Sequence, residues 1–126
     1  HCKRDFTYVD DIVEGVVRLL PLAPKPDPQW DAATPDPATS SAPWRIYNIG
    51  NNQTVELNDF IAALEEALGK KAIRDLLPMQ PGDVYSTFAD TSRLHDATGY
   101  APRVALPEGI SRFYEWYVGF YGEGTV

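Results

Sequence analysis

Apolar residues recur at helical spacing in two long stretches of the chain. Val9, Ile12, Val13, Val16, Val17 and Leu20 share one face and predict a helix that Pro21 ends. Asp10 or Asp11 offers this helix an N-cap oxygen, and Asp11 with Glu14 has the look of a capping box. Leu57, Phe60, Ile61, Leu64 and Leu68 predict a second helix over about 56–68, with Gly69 as its C′ residue. Asp90 is expected to cap a short helix that carries Leu94 and Ala97 and is closed by Gly99. Pro107 suits the first turn of a last helix, whose buried face would use Ile110, Phe113, Trp116 or Tyr117, and Phe120. Its end runs through Gly119, Gly122 and Gly124.

Alternation marks the strands. Asp5 and Thr7 against Phe6 and Tyr8 predict a short strand over 5–8, WRIYNIG (44–50) reads as a buried strand, and AIRDLL (72–77) is a weaker candidate. Gly50–Asn51–Asn52 and MQPGDV (79–84), with Pro81–Gly82 at its centre, are turns. Residues 21–43 show no period and hold seven prolines, so they predict a long loop that Trp30 could anchor. The fold class expected is mixed α/β, with three to four helices and short strands.

Composition narrows the function classes. A length of 126 residues suits one domain, and 44% hydrophobic content suits a packed core. The formal charge of −7 argues against nonspecific binding to nucleic acid or to an anionic membrane, although a few local arginines suffice for a small anion. No apolar run approaches the roughly 20 residues that span a bilayer. Cys2 is the single cysteine, so no intrachain disulfide forms and a cytoplasmic setting is expected. The chain opens on His1 and its one methionine is Met79, which reads as a piece of a longer protein; a removed tag or a processed N-terminus is the alternative.

Most chemical signatures are missing. There is no glycine-rich phosphate loop between strand and helix, no tyrosine followed four residues later by lysine, and no Gly-x-Ser-x-Gly. His1, His95 and Cys2 have no metal-ligand spacing, and His95 reads as solvent-facing. Asp10 and Asp11 point about 100° apart on a helix, which suits capping better than a shared cation. Arg4 lies ahead of a helix N-terminus and its guanidinium fork suits a phosphate. A surface ion pair with Asp5 or Asp11 is an equal reading. Asp83 is either the side chain of an Asx-turn or an acceptor for ligand hydroxyls.

Four stretches carry a resemblance: RDFTYVDDIVEGVVRLL, YNIGNNQTVELNDFIAALEEALGKKA, LPMQPGDVYSTFADTSRL, and GYAP followed by LPEGISRFYEWY. In this order they resemble the C-terminal part of the extended short-chain dehydrogenase/reductase enzymes that act on nucleotide sugars, in particular the UDP-glucuronate 4-epimerases. The insertion ending in PDPATSSAP before an aromatic and RIYNIGNN is its most specific part. The resemblance implies that residues 1–126 are one substrate-binding domain, the nucleotide-sugar-binding portion of an extended Rossmann-type enzyme, without the N-terminal NAD-binding domain. It implies interconversion of UDP-glucuronate and UDP-galacturonate by the parent, through a 4-keto intermediate and with NAD as cofactor.

Four positions of this chain match site positions of the family. Arg4 matches an arginine on the diphosphate, Phe6 an aromatic beside the ligand, and Asp83 an acid near the uridine ribose. Gln80 stands where many related epimerases have arginine, so Arg4 would carry more of the charge compensation. Thr87 stands where some relatives place a ligand-contacting tyrosine. The resemblance places the catalytic and NAD-binding residues outside this stretch, so the chain alone would be inactive. The parent would be a homodimer. Helix stripes lacking part of their partner would make this chain self-associate. The alternatives are another NAD-dependent nucleotide-sugar epimerase, dehydratase or decarboxylase, or a noncatalytic binding module derived from one.

Overall fold

The computed structural model describes residues 2–122, so His1 and Gly124 lie outside the described residues. The elements are β1 (Lys3–Arg4), α1 (Val9–Leu19), β2 (Val55–Glu56), α2 (Leu57–Leu68), α3 (Ser92–Thr98) and α4 (Leu106–Tyr121). β1 and β2 pair antiparallel, with Lys3 opposite Glu56 and Arg4 opposite Val55. The expected mixed α/β class, helix-rich with short strands, is what forms.

The strand expected at 5–8 is instead β1, two residues earlier. The ladder stops at Asp5 because its carboxylate and N–H turn to other segments, described below. Helix boundaries follow the sequence closely. Gly69 and Gly99 close α2 and α3 in the left-handed region, at φ 63° and 66°. Asp90 is not the cap of α3: Thr91 holds the N-cap position, and Asp90, one residue earlier, accepts the Ser92 N–H at 3.0 Å.

The first helix is turned inside out relative to its stripe. Asp11 and Gly15 are its buried residues, while Val9, Val13, Val16, Val17 and Leu20 are exposed. Gly15 explains the choice of face: a Cβ there would already lie 3.4 Å from both Ile49 and Leu94, so the bare backbone is what lets the helix approach. Neither Asp10 nor Asp11 caps α1. Tyr8 holds the N-cap position with no side-chain cap bond, and Asp11 points inward.

The last helix follows expectation at Ile110 and Tyr117 and departs from it at Phe113, Trp116 and Phe120. Gly109 and Ile110 are its buried residues, Tyr114 and Tyr117 are half-buried, and Phe113, Trp116 and Phe120 stand exposed. α4 packs on α2, and α1 on α3. The buried hydrophobic side chains among the described residues are Leu94, Tyr100 and Ile110. That is a small core for four helices.

Neither remaining strand forms. Residues 44–50 have no ladder partner, and Trp44 and Ile46 are exposed. A strand needs a neighbour for its N–H and C=O groups, and the sheet among the described residues is already β1 on β2. Residues 72–77 are likewise irregular, with Ile73, Leu76 and Leu77 exposed. Glu65 holds the start of this run: it accepts from Lys71 Nζ at 2.7 Å, the Ala72 N–H at 3.1 Å and Arg74 at 3.2 Å. Ala97 is exposed rather than packed. The proline-rich segment is a loop as expected. Asp27, Asp31 and Asp36 each accept the N–H two residues on, and Asp36 meets Arg93 of α3 at 2.7 Å. Trp30 is half-buried within it.

Candidate functional site

β1 lies between two neighbours. On one side is β2; on the other, Lys3 donates to Tyr85 O at 2.8 Å and accepts from the Thr87 N–H at 3.2 Å. This parallel bridge fastens the arm after the 80–83 turn beside Arg4. Asp5 extends the fastening. Its carboxylate accepts the N–H groups of Asn51 at 2.9 Å, Asn52 at 3.2 Å and Ala89 at 3.1 Å, and its own N–H donates to Thr87 Oγ1 at 3.3 Å. Asn52 sits at φ 55°, a conformation that asparagine tolerates and that turns consecutive N–H groups toward one acceptor.

Arg4 is half-buried and its guanidinium donates to its neighbour's carbonyl, Lys3 O, at 2.8 Å. The ion pair of the alternative reading of Arg4, with Asp5 or Asp11, does not form. Asp5 is occupied by backbone donors, and Asp11 accepts from the Tyr100 hydroxyl and the N–H groups of Arg103 and Val104. Among the described residues no carboxylate neutralises Arg4. Phe6 stacks on Phe60, centroids 4.1 Å apart and planes at 16°, and lines an apolar cavity of about 310 Å³ between α2 and α4. Thr87 faces Asp5 through its hydroxyl.

Gln80 and Asp83 lie on the tight turn that the sequence predicts. The Asp83 N–H donates to Gln80 O at 3.1 Å, and Gly82 at φ 93° gives the turn its type II form. Backbone closes this turn, not the Asp83 side chain, so the Asx-turn reading gives way. The Gln80 side chain donates to Pro78 O at 3.2 Å. Arg4 and Phe6 therefore lie two residues apart on one segment, and the turn of Gln80 and Asp83 is joined to it through the 85–87 bridge. Neither turn residue lines the Phe6 cavity.

Sequence reading missed Asp5 and misassigned Asp11. An acid beside an arginine gives no sign that it will serve a glycine–asparagine turn 46 residues away. His95 is exposed, as expected. No group of three or more histidine, cysteine or acidic residues that could hold a metal occurs among the described residues. No described helix is long and apolar enough to cross a membrane. None of α1 to α4 begins on a glycine-rich turn after a strand.

No family model matches the chain. Relatives do. A 37.6 kDa uncharacterized protein of Escherichia coli O111:H- is 50% identical over 119 residues, covering 94% of this chain and 36% of its own length. A probable UDP-glucuronate 4-epimerase of Rhizobium meliloti (strain 1021) is 45% identical over 119 residues, with coverage of 91% and 34%. The crystal structure of UDP-glucuronic acid 4-epimerase from Bacillus cereus, in complex with UDP-glucuronic acid and NAD, superposes with a TM-score of 0.72 at 28% identity, over 95% of this chain and 33% of that one. This chain is homologous to part of the UDP-glucuronate 4-epimerases. It spans about a third of the length of these relatives. The superposition extends to nearly the whole chain, so the helix pairs and the β1–β2 ladder correspond to a piece of a Rossmann-type epimerase.

Proposed function

We propose that this chain is the nucleotide-sugar-binding part, C-terminal in its parent, of an NAD-dependent UDP-glucuronate 4-epimerase. The observation that carries the reading is the superposition on an epimerase structure containing UDP-glucuronic acid and NAD, supported by 45% identity to a probable UDP-glucuronate 4-epimerase. The link between β1 and the 80–83 turn supports it. Arg4, uncompensated on β1, would hold the diphosphate through its fork, Phe6 would flank the nucleotide, and the Asp83 carboxylate, which closes no turn of its own, would accept from the ribose hydroxyls. Gln80 would add a neutral donor where a second cation could stand.

This chain's residues bind and orient; the redox chemistry belongs to NAD, held by other residues of the parent. The chain alone is expected to bind UDP but not to epimerise. Calorimetric titration with UDP, UDP-glucuronate and NAD tests the reading. Binding of both uridine nucleotides, weakened by Arg4→Ala, together with no binding of NAD, is the expected result. Binding of neither uridine nucleotide overturns it.

A further inference from the structure

We propose that Asp5 is the positioning residue of this site: it fixes Arg4 against the arm that carries Asp83 and keeps the guanidinium free for an anion. The inference rests on the reading of Arg4 as a phosphate contact. Asp5 follows Arg4 directly, and an acid there would ordinarily neutralise it. Here three backbone N–H groups from two separate segments occupy that carboxylate, at 2.9–3.2 Å. Bonds to an ionised acceptor are the strong class, so Asp5 is held away from its neighbour.

The same three bonds tie β1, the 50–52 turn and the 85–89 arm into one unit. The fit is close: a Cβ at Gly50 would lie 2.5 Å from Ala89 Cβ and 2.9 Å from Asp5 Oδ2. The arm leads back through Tyr85 to the type II turn at 80–83. Asp5 therefore sets how Arg4 and Asp83 stand relative to one another without touching the ligand itself. An asparagine at position 5 presents an NH₂ where donors already point, so at least one of the three bonds is lost.

The test is a double-mutant cycle on UDP binding by the 126-residue chain, using the native protein, Asp5→Asn, Arg4→Ala and the double variant. Asp5→Asn is expected to weaken UDP by about tenfold, the scale of one charge-assisted hydrogen bond. Arg4→Ala is expected to weaken it at least as much, and the double variant no more than Arg4→Ala alone. Amide exchange at Asn51, Asn52 and Ala89 should quicken in Asp5→Asn, with far-UV circular dichroism unchanged. Unaltered UDP affinity in a folded Asp5→Asn variant overturns the positioning role while leaving the Arg4 reading intact. Additive losses in the cycle overturn it too, since a merely structural residue does not couple to Arg4. If Asp5→Asn does not fold, Asp5→Glu, which keeps the charge, must recover UDP binding at least in part. No recovery counts against the role. Failure of the native chain to bind UDP overturns the Arg4 reading and the positioning role together.

Discussion

The Tyr100 hydroxyl donates to the Asp11 carboxylate at 2.6 Å, across 89 residues of sequence. With the Arg103 and Val104 N–H groups at 3.1 and 3.0 Å, it makes Asp11 the tie between α1 and the segment entering α4. Removing an N-cap costs about 1 kcal/mol, whereas leaving several buried donors unpaired costs about 3 kcal/mol. Asp11→Ala is therefore expected to lose about 3 kcal/mol, and Tyr100→Phe about 1–2 kcal/mol, read from urea midpoints. A loss near that of a simple cap in Asp11→Ala would contradict the tie.

Acid should unfold the chain through its paired carboxylates. Hydrogen bonds from Lys71 and the Ala72 N–H, helped by Arg74, bring Glu65 from its ordinary 4.5 down to about 2. Between those values the folded chain binds fewer protons than the unfolded one, so stability is full above pH 4.5 and falls as pH drops toward 2. Burial alone would raise Asp11, but the Tyr100, Val104 and Arg103 bonds outweigh it and hold it below its usual range, which adds to the same slope. Burial and donation to Asp11 push Tyr100 from 10.0 up to about 12, so stability is also lost as pH rises through that interval. Glu65→Gln should flatten the acid limb of urea midpoint against pH, and Tyr100→Phe the alkaline limb. Unchanged limbs would refute these assignments.

On the proposed reading, charge at position 80 would set how much of the diphosphate is compensated. Gln80 is neutral and points its amide back to Pro78 O. Gln80→Arg adds a fork on the same turn as Asp83, and is expected to tighten UDP binding severalfold at low salt. The gain should shrink as ionic strength rises, because the added attraction is screened. Calorimetry at two salt concentrations measures it; a salt-independent gain, or none, would place residue 80 away from the phosphates.

The local features were legible in the sequence and the long-range ones were not. Gly69 and Gly99 announce helix ends because a left-handed residue there is nearly a glycine monopoly. Gly82 after Pro81 announces its turn for the same reason. Arg4 could be named only through the family resemblance. The roles of Asp5 and Asp11 depend on donors 46 and 89 residues away, which no local pattern encodes. The helical stripes of α1 and α4 were visible, but periodicity shows that a face is apolar, not what covers it. WRIYNIG has a strand's composition and no neighbour to pair with.

Those uncovered faces predict behaviour in solution. Val9, Val13, Val16, Val17 and Leu20 form one exposed apolar face on α1, and Phe113, Trp116 and Phe120 a second on α4. Patches of that kind favour association, and the chain spans about a third of the length of its relatives. Sedimentation should show concentration-dependent oligomers. Val13→Lys with Val17→Glu should shift the chain toward monomer with little change in unfolding midpoint, since both positions are exposed. A monomer at high concentration in the native chain would argue that these faces do not self-associate.

Gly50 gives the sharpest steric test of the unit around Asp5. Its φ is not in the left-handed region, so space and not backbone conformation demands glycine here. Gly50→Ala puts a methyl 2.5 Å from Ala89 Cβ and 2.9 Å from Asp5 Oδ2, and both neighbours sit on backbone that Asp5 already holds. The turn or the arm must move, which costs about 1–3 kcal/mol as overpacking does. Ala89→Gly removes the nearer obstacle but not the carboxylate. Ala89→Gly in the Gly50→Ala background is therefore expected to restore part of the lost stability, whereas alone it costs a few tenths to about 1 kcal/mol. Urea midpoints of the four proteins decide it. Full additivity would mean that residues 50 and 89 do not meet, and the three-way junction that orients Arg4 would have to be redrawn.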